Sequence, residues 1–164
     1  MAGSILGDVS RIPWGSLSSA DGNSSAVPGL LGKLAWSDLE TAKIALDDLQ
    51  MLIYRDSTGV DESTSITIPF LWDIAAARRD SVSAEIISMF SDMLQNDSAQ
   101  RAQKASRRPH GYEHAVRWEL ACHRNIISGL STAVELKRIG KGDLVRQADR
   151  IAELIRLRIS KDGP

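Results

Sequence analysis

Apolar residues recur at threes and fours over most of the chain, a pattern that predicts helices in series. The clearest stripe is Leu39, Ala42, Leu46, Leu49 and Ile53, widened by Ala45 and Leu52, with Glu40, Lys43, Asp47, Asp48 and Arg55 falling between. Ser37-Asp38-Leu39-Glu40 at its head reads as a capping box, a side-chain oxygen followed three residues later by a glutamate. Upstream, Val27, Leu30, Leu31 and Leu34 predict a short helix from about Ala26 to Ala35; Pro28 suits its first turn, while Gly29 and Gly32 weaken it. Only Trp36 separates the two helices, so they are expected to pair as a hairpin.

After Tyr54 the stripe gives way to a polar loop, Arg55 to Ser63, that carries Asp56, Asp61 and Glu62. Ser63 or Thr64 is expected to open the next helix, which runs to about Arg79 through Ile68, Leu71, Trp72, Ala75 and Ala76. Pro69 must sit in its first turn or kink it. Val82 to Gln95 continues with Ile86, Ile87, Met89, Phe90, Met93 and Leu94 towards a core. Residues 96–111 have no apolar face and hold Arg101, Lys104, Arg107, Arg108 and His110, which predicts a basic, mobile loop. Tyr112 to about Ile139 is the longest predicted helix, with Gly129 as its weak point, and Asp143 caps a last one through Leu144, Ile151 and Ile155.

Residues 1–26 read as an irregular leader whose one bulky patch, Ile12-Pro13-Trp14, plugs a groove between helices. The expectation is therefore a single all-α domain over 27–160 with about six helices. A faint repeat supports stacking of helical pairs as a short α-solenoid: Asp38-Leu39 aligns with Asp143-Leu144, and Leu49 with Leu154 ten residues on.

Composition adds three points. A chain of 164 residues, 43% apolar and 25% charged, is long enough for one self-sufficient core. A single cysteine, Cys122, excludes an internal disulfide framework, and the first residues have neither a basic n-region nor an apolar run of signal length. Both features suit a cytoplasmic protein, with no membrane role. The net charge of -1 conceals a split: residues 1–98 hold 6 Lys/Arg against 14 Asp/Glu, and residues 99–164 hold 14 against 7. Opposite signs on the two halves serve either packing between them or separate partners.

Catalytic chemistry finds no support. His110, His114 and His123 lie in one short region, and there is no Gly-x-Ser-x-Gly, phosphate-binding glycine loop or paired-cysteine motif. His110-x-x-x-His114 with Cys122 and His123 is the best metal candidate, but Gly111 sets His110 ahead of the helix and Cys122 reads as core. No enzyme activity, cofactor or metal is therefore expected. Two binding surfaces remain: a basic one at Arg101, Lys104, Arg107 and Arg108, which would suit nucleic acid, and an acidic one at Asp47, Asp48, Asp56, Asp61 and Glu62 beside Tyr54, which would suit a basic protein cleft.

Five segments carry a resemblance to a family: Ile12-Pro13-Trp14, Gly22, Val27-Pro28-Gly29-Leu30-Leu31, Asp38 through Ala45-Leu46 to Leu49, and Ile68-Pro69-Phe70-Leu71. In order and spacing they resemble small bacterial HEAT-repeat-like proteins, over residues 12 to about 95. Such proteins resemble immunity proteins of polymorphic and contact-dependent toxin systems. The resemblance implies a HEAT-like stack of hairpins that neutralises a cognate toxin, such as a basic nuclease, by stoichiometric binding. A HEAT-like adaptor or nucleic-acid-binding module is the alternative. Where relatives carry His-Gln-Gly and Tyr-Pro-Ala segments, this chain has Asp56-Ser57-Thr58-Gly59-Val60-Asp61-Glu62, so the partner's identity does not carry over.

Overall fold

A computed structural model of the chain describes residues 6–17, 24–54, 60–106 and 113–162. Among them the fold is all-α: α1 (Val27–Trp36), α2 (Leu39–Ile53), α3 (Glu62–Arg78), α4 (Ser81–Gln95), α5 (Ser98–Ala105), α6 (Glu113–Ile127), α7 (Leu130–Ile139) and α8 (Asp143–Asp162). Three 3-10 turns, at Val9–Arg11, Trp14–Ser16 and Ser24–Ala26, precede them. α1 pairs with α2, α3 with α4, and α7 with α8. α3 also packs on α1 and α6, and α4 on α2 and α8. The helices thus stand in two rows, α1–α3–α6/α7 and α2–α4–α8, a helical-repeat-like stack.

α3 is the hub. Ser63, Thr64, Ser65, Thr67, Ile68, Leu71, Trp72, Ile74 and Ala75 are all buried, because neighbours approach it from several sides. Its buried hydroxyls are satisfied locally: Thr67 Oγ1 donates to the Ser63 carbonyl at 2.7 Å and Ser65 Oγ to that of Glu62 at 2.8 Å. Thr64 Oγ1 donates across to the Ile53 carbonyl, closing the end of α2 onto the start of α3. Pro69 lies inside the helix rather than in its first turn. Lacking an N–H, it leaves the Ser65 carbonyl four residues back without its helical donor. Asn125 Nδ2 of α6 takes that place at 2.6 Å, so the proline's missing bond becomes a tether between helices.

The corner after α3 is built on charge. Arg79 turns it in the left-handed region at φ 58°, and Asp80 caps α4 through the amides of Val82 and Ser83. Arg78, its side chain only 10% exposed, donates to the carbonyls of Leu34 and Ser37 at 3.0 and 2.9 Å and pairs with Asp80 at 3.0 Å. A cation at carbonyls left open by the end of α1 is favourably placed, and it clamps the first hairpin to the second.

Several boundaries differ from the sequence expectation. The cap of α2 is Asp38, whose Oδ1 accepts from the Thr41 amide at 2.8 Å; Ser37 instead ends α1. Asp61, not Ser63 or Thr64, caps α3, in a reciprocal box with Thr64. The expected long helix divides at Gly129, whose Cα lies so close to the Trp72 ring that an added Cβ would sit 2.1 Å from Cε2. Leu120 and Val134, apolar residues within that span, face outward. Part of the expected basic loop 96–111 is also helical. α5 covers Ser98–Ala105 although it buries no residue, because Ala, Gln, Lys and Arg hold a helix by intrinsic preference, and Arg101 pairs with Asp97 at 2.9 Å. In the described part of the leader, Trp14 is buried as expected; its indole N–H donates to the Val9 carbonyl at 2.9 Å and its ring lies 6.3 Å from Phe70.

Candidate functional site

Turning α2 about its axis shows what the stack leaves open. Ala42, Ala45, Leu46, Leu49 and Ile53 point inward, while Ile44 and Met51 stand on the opposite side as an outer ridge. α1 flanks the ridge on one side and α4 on the other. A groove runs along each flank.

The α2–α4 groove encloses about 460 Å3 and is lined by Asp47, Gln50 and Tyr54 of α2 and its end, and by Glu85, Ser88, Met89 and Asp92 of α4. The same spacing, i, i+3 and i+7, sets Asp47-Gln50-Tyr54 on one helix face and Glu85-Ser88-Asp92 on the other. The carboxylates of Asp47, Glu85 and Asp92 are all exposed, half-buried Tyr54 lies with them, and no Lys or Arg lines the groove among the described residues. It offers three negative charges and a phenol in a concave surface, which suits guanidinium and ammonium groups of a protein partner.

Not all the residues singled out in the sequence converge here. Asp47 and Tyr54 do, joined by Glu85 and Asp92, which the sequence reading had passed over. Asp48 lines the other groove, between α1 and α2. Asp61 is engaged in capping: its Oδ1 accepts from Ser63 Oγ at 2.6 Å and the Thr64 amide at 3.2 Å. Glu62 follows it in the first turn of α3. On the basic side, Arg101 is paired with Asp97 and Lys104 stands exposed on α5. Asp56, Arg107, Arg108 and His110 lie outside the described residues.

The titratable groups around α6 are structural. His123 Nε2–H lies 3.0 and 3.1 Å from the carbonyls of Met93 and Asn96, bridging the end of α4. Burial, aided by the charge of Arg158, holds its pKa below the ordinary 6.5, which keeps the ring neutral. Burial also raises the Cys122 thiol far above its usual range, with Asp61 and Glu119 adding to the effect, so it is unreactive. Buried Glu119 faces the amides of Ala99 and Gln100 in the first turn of α5, and its pKa is raised by desolvation despite them. Among the described residues no group of three or more His, Cys, Asp or Glu is placed to hold a metal, and no helix is long and apolar enough to cross a membrane. No family model, curated protein or solved structure matches the chain.

Proposed function

We propose that this protein is an immunity-type inhibitor, a HEAT-like stack that binds a basic toxin domain one to one through its α2–α4 groove and performs no chemistry of its own. The observation that carries this reading is the groove itself. Asp47, Glu85 and Asp92 gather negative charge where two neighbouring helices of one row leave a cleft, and Tyr54 supplies a surface for cation and aromatic contact. Opposed charge accelerates encounter and excludes an anionic substrate from the partner's cleft. The resemblance of residues 12–95 to immunity-type relatives covers both helices of the groove and supports the same reading.

The test is co-expression with the products of adjacent genes. A growth-inhibiting neighbour should be neutralised and should co-purify in a 1:1 complex. Reversing the groove with Asp47→Lys, Glu85→Lys and Asp92→Lys together should slow association by about 10-fold or more at low salt, since steering contributes roughly 10–10³ in rate. The reading fails if no neighbour co-purifies, or if the reversed variant associates and protects as well as the native chain.

A further inference from the structure

We infer that the outer face of the α1–α2 hairpin is a self-association surface on which a second copy of this chain docks across a two-fold axis. α1 and α2 end the two rows of the stack. The last pair of a stacked helical protein ordinarily turns a polar face outward, because nothing follows to bury it. Here Trp36 of α1 and Ile44 and Met51 of α2 are 63%, 59% and 64% exposed, and Met51 lines a groove between the two helices with Leu30 and Leu52. Single exposed apolar residues are ordinary, whereas several gathered on the terminal pair mark a contact surface.

Two observations select a second copy as the occupant. The first is charge: the groove carries Lys33 on its α1 side and Asp48 on its α2 side. A two-fold contact that lays α1 of one copy against α2 of the other brings Lys33 to Asp48, and the symmetry then makes that pair twice. The neighbouring α2–α4 groove carries one sign of charge among the described residues and offers no such self-complementarity. The second is backbone access. Gly29 and Gly32 weaken α1, yet a Cβ at either would meet nothing within 4 Å, so the chain's own packing does not require them. Gly29, exposed and lining the groove, admits the close approach of another helix there.

Sedimentation equilibrium of the isolated full chain, from about 1 to 200 μM, spans the affinities expected of a modest dimer. A monomer–dimer equilibrium is expected. Ile44→Arg and Met51→Arg should each abolish it while leaving the circular dichroism spectrum unchanged, because neither side chain is buried in the monomer. Lys33→Asp alone and Asp48→Lys alone should each raise the dissociation constant by about 10-fold, and the two combined should return it to within about 3-fold of native. A chain that stays monomeric throughout, a dimer indifferent to Ile44→Arg, or a double charge swap no tighter than its singles would overturn the inference. So would a monomer whose Ile44→Arg variant instead loses a co-expressed toxin, since the face would then belong to that partner. The measurement needs no toxin, so its failure is distinct from failure of the inhibitor reading.

Discussion

Gly129 is a position where one missing methyl decides whether two helices can meet. The Trp72 indole, tilted at 46° and 4.8 Å from the Phe90 ring, fills the space beside the Gly129 Cα, and an added Cβ would lie 2.1 to 2.6 Å from three of its atoms. Trp72 is buried on the central helix, so its ring has little room to withdraw. Gly129→Ala should therefore cost about 1–3 kcal/mol, the usual range for overpacking. Trp72→Ala removes the three crowding ring atoms, and at its own cavity cost it should make Gly129→Ala cheaper. A double-mutant cycle by urea denaturation is expected to show coupling of more than about 0.5 kcal/mol between the two sites; additive effects would mean that the clash is relieved elsewhere.

At the scale of the element, α3 is held by a bond that its own sequence cannot make. Asn125 donates to the Ser65 carbonyl because Pro69 cannot, so Asn125→Ala should leave a buried acceptor unpaired and cost about 1–3 kcal/mol. In a Pro69→Ala background the new N–H reaches the same carbonyl, and the cost of Asn125→Ala should shrink; an equal loss in both backgrounds would show that Asn125 acts by packing alone. The helices themselves were legible in the sequence where each buries one stripe, as α2 does. α5 was not, since a helix with no buried residue leaves no apolar period to read. Cap positions slipped by one to three residues where adjacent polar residues, such as Ser37 and Asp38, compete for the same amides. The acidic groove was half legible. Asp47 and Tyr54 stand out on α2, but their match with Glu85 and Asp92 depends on α2 and α4 being neighbours, which spacing along one helix does not contain.

For the whole molecule, pH acts through two buried groups of opposite sign. His123 joins α6 to the end of α4 as a neutral donor, with Arg158, Asp97 and Glu119 as its charged surroundings. Its pKa is lower in the folded chain than the ordinary 6.5, so above that pH both states are neutral and the bridge contributes fully. As pH falls through 6.5 towards the lowered value, the unfolded chain gains a proton that the folded chain resists, and stability declines. Glu119 runs the other way. Its folded pKa lies above 4.5, so its contribution is present below 4.5 and is lost as pH rises through the folded value; it offsets the histidine only towards acid. Urea midpoints measured between pH 7.5 and 5.5 should therefore fall, and the fall should be smaller in His123→Gln, which keeps a donor but does not titrate. An equal slope in that variant would assign the acid sensitivity to groups other than the α4–α6 bridge.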